Sequence, residues 1–353
     1  MLADNVNSLE YMFPFEALVE KKDFKLLLRF IKKRYSINNT IIEGIDYKDI
    51  VENVVYYGSS NITSMYGILK GEVIKRILKR EGTEVTHLIG WYEGQASSNG
   101  LFLSAREVDD EVYTIAYISV PCPENNIGLS PSRLQNREKK VAEFYAVGGR
   151  AWMKNVRQFD SKTKCCLAPA FRQGDLGKSI GLKNNEGAII ILSGVYDVAK
   201  LQLEISLNAL IECGYKSIEV KNHPFYSDYG LKDYCIDYLE SDDFEISFVK
   251  SSLVEAVRNK AIAIVSETSS SLEILLQHTK VIDYIPNGKL SYTCIPQEYM
   301  QYIDVVYSKS EMIEAIKSYS KDKLMNLEII KDECFAKISE KMVYSMVEVK
   351  VNE

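Results

Sequence analysis

Histidine is scarce in this chain. Only His87, His223 and His278 occur among 353 residues, and neither an HExxH motif nor a Cys/His zinc spacing is present. A histidine-rich metal centre is therefore not expected. The seven cysteines include no CxxC pair, and their odd number suggests reduced thiols acting as small apolar residues. A net charge of −6 lacks the basic excess of a general nucleic-acid binder. No apolar run reaches the ~18 residues of a membrane-spanning helix. The opening MLADNVNSLEYMF has no basic stretch followed by an apolar one, so it does not read as a secretory signal. These absences point to a cytoplasmic protein without resident metal or cofactor.

What is present is alternation. In the second half, AIIILSG (188–194), SIEV (217–220), FEISFV (244–249), AIAIV (261–265) and KVIDYI (280–285) read as strands. Helical stretches separate them, the first capped by Asp197 and ended by Gly214, another around 231–239, and a third opened by a Ser252/Glu255 capping box. Strands alternating with helices imply a parallel sheet covered on both faces. The chain closes in two helical stretches, 310–319 and 321–346. The first half is less regular: helices at 16–35, 71–80 and 97–106, strands at 87–93 and 114–120, and a strand and turn in VAEFYAVGG (141–149). A glycine-rich, charged stretch, 161–185, reads as the linker. The expected division is an α/β unit at 1–165, a Rossmann-like unit at 185–325 and a helical tail at 326–353.

Two segments carry chemistry. KNHPF (221–225) and SETSSSLEILL (266–276) each follow an apolar strand run. In a doubly wound sheet, ligands bind outside the carboxyl ends of the strands. The first segment puts His223 there, restrained by Pro224. The second puts Ser269, Ser270 and Ser271 at a helix start, where free N–H groups favour an anion. Together they suggest a phosphate grip. A turn histidine held by proline, and a Ser270/Glu273 capping box, are the plainer readings of the same residues. Gly194 ends the first strand of this unit, where a missing side chain lets a nucleotide approach.

These motifs resemble those of bacterial GT-B glycosyltransferases, two Rossmann-like domains facing a cleft. The likeness is greatest to transferases of surface-polysaccharide assembly that use CMP-activated acidic sugars, the sialyl and Kdo types. The stretch WYEGQASSNGLFLSAR (91–106) is also similar to surface-carbohydrate biosynthesis proteins. The resemblance implies that His223, Pro224 and the serines hold the donor phosphate. It implies a metal-independent transfer of an ulosonic or nonulosonic acid from a CMP donor to a glycan or lipid-linked acceptor. It also implies that Glu93, in a Tyr92-Glu93-Gly94 sequence, matches half of an acidic-acidic-glycine motif that supplies the general base.

Glu93 follows an apolar strand and precedes glycine, so it is expected at a loop facing the cleft. A carboxylate there could deprotonate an acceptor hydroxyl or attack the anomeric carbon. The leaving phosphate needs donors, which His223 and the hydroxyls would supply. Arg106, Arg133, Arg137, Arg150 and Arg172 are candidates for a carboxylate or phosphate. The basic helix FKLLLRFIKKRY (24–35) could touch an anionic membrane surface or simply pack on its own domain. On the same fold, a UDP-sugar or CDP-glycerol transferase, a nucleotide-sugar epimerase and a non-catalytic glycan- or nucleotide-binding protein stay open.

Overall fold

A computed structural model describes residues 18–32, 40–80, 85–124, 126–173, 187–224, 231, 244–288, 293–318 and 327–347. The first unit opens with helix α1 (Lys21–Lys32), a small hairpin of β1 (Ile41–Ile42) and β2 (Ile45–Asp46), and helices α2 (Lys48–Ser60) and α3 (Ile62–Leu78). Four parallel strands follow in simple order: β3 (His87–Trp91), β4 (Tyr113–Ile118), β5 (Phe144–Val147) and β6 (Lys164–Leu167). Helix α4 (Ala96–Val108) and the short α5 (Arg133–Arg137) and α6 (Met153–Val156) connect them. Thus the expected linker contains a strand of the sheet: β6 lies inside 161–185, an outer, half-buried strand whose sequence KCCL has neither an apolar run nor a clear alternation.

The second unit is a six-stranded parallel sheet of order β12-β11-β10-β7-β8-β9. Its strands are β7 (Ala188–Ile191), β8 (Ser217–Lys221), β9 (Glu245–Phe248), β10 (Ile262–Val265), β11 (Lys280–Tyr284) and β12 (Asp304–Val306). The strands β7 and β10 are buried throughout, as a sheet covered on both faces demands. Alternation splits β7 between two cores: Ile189 and Ile191 join one, Ala188 and Ile190 the other. Helices α7 (Tyr196–Glu212), α8 (Leu253–Val257), α9 (Ser271–Leu275) and α10 (Lys309–Lys317) complete the layers.

Several local expectations are corrected. The N-cap of α7 is Val195, and Asp197 lies inside its first turn. Gly214 does end that helix, at a φ of +84° that suits glycine. The Ser252/Glu255 capping box forms. The Ser270/Glu273 box does not: Ser270 is the N-cap of α9 but makes no side-chain cap bond. The final stretch is not one helix. It is α11 (Glu328–Cys334) and α12 (Glu340–Val347), separated by an extended Phe335. The helix expected around 231–239 lies outside the described residues apart from Leu231, which is buried.

Those last helices return to the first unit. Ala336 donates its N–H to the Gly148 carbonyl at 2.6 Å, and Ala170 donates to Ala336 at 3.0 Å. Trp152 Nε1 donates to the Cys334 carbonyl at 2.9 Å. Met346 of α12 packs on the face of the first sheet that carries Tyr117 and Phe144.

Candidate functional site

The carboxyl ends of β10, β7 and β8 are neighbours, so their following loops meet along one edge. The central loop carries Ser193 and Gly194, the β8 loop Asn222 and His223, the β10 loop the segment from Ser266 to Ser271. Gly194 and His223, both expected in the site, are in direct contact. A Cβ built on Gly194 would stand 3.2 Å from His223 Cε1 and 3.3 Å from its Nε2. The glycine thus lets the imidazole pack closely against the turn. Burial lowers the affinity of His223 for a proton. The neutral ring is the form favoured here, able to donate from one nitrogen.

Behind these residues sits Gln202 of α7, fully buried. Its Nε2 donates to the carbonyls of Ile191 at 2.9 Å and Ile264 at 3.2 Å, and its Oε1 accepts from Ser193 N at 3.1 Å. One side chain therefore ties the ends of β7 and β10 and fixes the Ser193–Gly194 turn. Ser193 Oγ faces Glu267 Oε2 at 3.5 Å and accepts from Val195 N at 3.1 Å. Glu267 has a φ of +48°, a left-handed conformation costly for a residue with a side chain. Two buried polar atoms on the edge, Ser266 Oγ and Asn222 Oδ1, have no hydrogen-bond partner among the described residues.

The three serines differ. Ser269 and Ser270 are half-buried, whereas Ser271 is buried and donates its hydroxyl to the Thr268 carbonyl at 2.9 Å. Ser271 thereby stabilises the turn itself. Pro224 follows His223 at the exposed end of the described loop. Glu273 projects away from the cap and accepts a bond from Gln173 Nε2 at 3.1 Å. Burial raises its pKa, opposed by that bond and by the Arg172 charge. This contact brings the loop after β6 against the start of α9, so the carboxyl edges of the two sheets face each other there. Lys154–Glu298 is a second bridge between the units.

Asp283, on β11 beside Val265, was not foreseen. It is buried, neither carboxylate oxygen has a hydrogen-bond partner within 3.5 Å among the described residues, and burial raises its pKa to about 7. The Glu267 charge adds to the rise, and the nearby Thr293 hydroxyl opposes it. An acid inside the apolar run KVIDYI was the available signal. Ser193, Gln202 and Glu267 carried none beyond lying near the motifs.

Glu93 stands on the carboxyl edge of the other sheet, after its outer strand β3. It is exposed, and its carboxylate accepts from Trp91 Nε1 at 3.0 Å and from Gln95 Nε2 at 3.5 Å. Gly94 has a φ of +75° and is pressed against Gly128, where a Cβ would meet the carbonyl carbon at 2.6 Å. That turn aims Glu93 outward. No described contact joins Glu93 to His223 or the serines. Of the five arginines, Arg172 lies near Glu273, and Arg150 pairs with Glu333 at 3.6 Å. Arg106, Arg133 and Arg137 line a cavity at the opposite, amino-terminal edge of the first sheet. Among the described residues no cluster of His, Cys, Asp and Glu could hold a metal. None of their helices is long and apolar enough to cross a membrane.

No protein-family model matches the chain, nor does any curated protein. Solved structures do match in architecture. A chain of the GtfA/B complex superposes with a TM-score of 0.54 at 10% identity, over 79% of this chain and 59% of that one. This chain thus spans well under two thirds of that relative. MnaA of S. aureus, solved with UDP, gives 0.57 at 10% identity over 85% of this chain and 87% of that one. The UDP-GlcNAc 2-epimerase of Neisseria meningitidis bound to UDP-GlcNAc gives 0.56 at 10% identity, over 82% of each chain. With two separate parallel sheets and their connecting helices, the chain has the GT-B-like α/β architecture.

Proposed function

We propose that this chain is a glycosyltransferase of bacterial surface-polysaccharide assembly that binds a nucleotide-activated sugar at the His223 edge. The observation that carries the reading is the His223 ring lying on Gly194 between loops with orphaned polar atoms. A planar N–H donor there, on the same edge as Ser269 and Ser270 and backed by the Gln202-fixed turn, suits a phosphate whose negative charge grows as the sugar leaves. We assign the donor site to 185–325, the acceptor side to 1–165, and read 326–353 as the helical tail that ties the two. Glu93 is the proposed catalytic carboxylate, acting on the acceptor hydroxyl or on the anomeric carbon.

The motif resemblance favours a CMP-linked ulosonic or nonulosonic acid as donor and a glycan or lipid-linked acceptor. A UDP-sugar is the second reading, because MnaA was solved with UDP and the Neisseria enzyme with UDP-GlcNAc. An epimerase would act on such a donor without any acceptor. Helix α1 supports peripheral contact with an anionic membrane. Asp23 anchors it to Arg76 at 2.7 Å, while Phe24 and Leu28 stay exposed among Lys25 and Arg29.

Calorimetry with CMP, UDP, CDP and GDP on the native chain and on His223→Ala tests the site. Selective binding of one nucleotide, weakened in the variant, is expected; no nucleotide binding would overturn the proposal. Turnover of the matching sugar nucleotide with and without acceptor then separates transferase from epimerase, and Glu93→Gln is expected to abolish it.

A further inference from the structure

One cavity lies away from the cleft, at the amino-terminal edge of the first sheet. It has a volume of about 1040 Å³ and is walled by the amino-terminal starts of β4, β5 and β6 and the loops before them. Ligands of such sheets gather at the carboxyl edge, so these residues are free of the nucleotide chemistry proposed above. The wall carries six cations, Arg106, Arg133, Arg137, Lys139, Lys162 and Lys164, in a chain whose net charge is −6.

The acids on the wall offset these cations only in part: Asp160 is held below the usual carboxylate range chiefly by its bond from Asn136, with the charges of Arg133 and Lys162 adding to it. Glu143 pairs with Lys164 at 3.6 Å. Asp160 is engaged by Asn136 Nδ2 at 2.8 Å and Lys162 N at 3.1 Å. Asp110 and Glu111 lie on the exposed turn before β4. Arg106 is fixed, donating to the carbonyls of Lys139 and Val141. It keeps its charge while holding the loop that carries Lys139. Arg133, Lys139 and Lys162 make no ion pair within 4.0 Å among the described residues. They come from two stretches of chain, α5 with the turn after it and the loop before β6, and line one concavity.

We infer that this cavity is a second binding site, for a ligand bearing two or more oxyanions, contacted by Arg133, Lys139 and Lys162. Several separated cations match a ligand with repeated phosphate or carboxylate groups better than a single small ion. A nucleoside diphosphate and an anionic glycan segment share this chemistry, and the test distinguishes them. The inference stands apart from the proposed transferase activity.

The test is calorimetry with inorganic pyrophosphate, UDP and tetragalacturonate on four full-length proteins: native, His223→Ala, Arg133→Ala/Lys162→Ala and Lys139→Ala. All three cations are exposed, so these variants are expected to fold. Saturable binding that survives His223→Ala but weakens roughly tenfold or more in the double variant is expected, as for loss of charge-assisted hydrogen bonds. It should also weaken with added salt. Preference for tetragalacturonate assigns a glycan segment, and preference for pyrophosphate or UDP a phosphate ligand. Binding unchanged in the double variant, or no saturable binding of any probe, overturns the inference. Loss of binding in His223→Ala alone returns the ligand to the cleft and overturns it equally.

Discussion

Gly194 shows how one absent methyl group can shape a site. Its backbone is not left-handed, so alanine there costs little in conformation. The added Cβ would nevertheless press on His223 at 3.2–3.4 Å, tighter than ordinary contact, and push the ring off the turn. Gly194→Ala is expected to keep its melting temperature and lose about tenfold in nucleotide affinity by calorimetry, roughly 1.4 kcal/mol. Unchanged affinity would remove the ring position from the account. Asp283 makes a second residue-scale prediction. Its carboxyl holds a proton to about pH 7 in the folded chain, against about 4 when unfolded. The folded state thus binds more protons between those values, and stability falls as pH rises through that window. Above it the cost levels off, at up to about 4 kcal/mol. Asp283→Asn removes the cost while keeping the shape. Urea unfolding is expected to show the variant more stable than the native chain at pH 8 and nearly equal to it at pH 4.

Helices α3 and α4 pack backbone to backbone. A Cβ on Gly67 would lie 2.9 Å from the Ala96 carbonyl oxygen, and one on Gly100 would lie 2.5 Å from that of Gly67. Gly100→Ala must push the pair apart, and overpacking of this kind costs about 1–3 kcal/mol. Urea denaturation measures it, and a loss below about 0.5 kcal/mol would show that the helices part freely. This crossing was not readable from sequence, where the helices at 71–80 and 97–106 were expected but nothing marked Gly71 or Gly100 as a contact between them. Strands rich in Ile, Val and Ala were legible because burial on both faces leaves a continuous apolar run. The short strands β6 and β12 were missed for the opposite reason. KCCL is half-buried, and β12 is only three residues long.

At the scale of the whole molecule, the sequence revealed the edge but not how its parts meet. Motifs after strands placed Gly194, His223 and the serines together, since consecutive carboxyl ends share one edge. Contacts between distant segments left no periodic trace: Gln173 on Glu273, Gln202 beneath Ser193, and the return of α11 to the first unit. That return joins the units, because Cys334 and Ala336 bond to Trp152 and Gly148 while Leu327 and Ile330 enter the core they share. Gly149 lies so close to the Cys334 carbonyl that no side chain fits between them. Gly149→Ala is therefore expected to displace this tie and cost about 1–3 kcal/mol. The variant is best made in a Trp91→Phe background, leaving Trp152 as the single emitter. Trp152 is buried with its indole N–H bonded, so displacement should shift its emission to the red before global unfolding in urea. An early red shift marks the tie as the first contact to open between the two sheets. Emission that changes only with the main transition would mean that the tie and the units unfold as one.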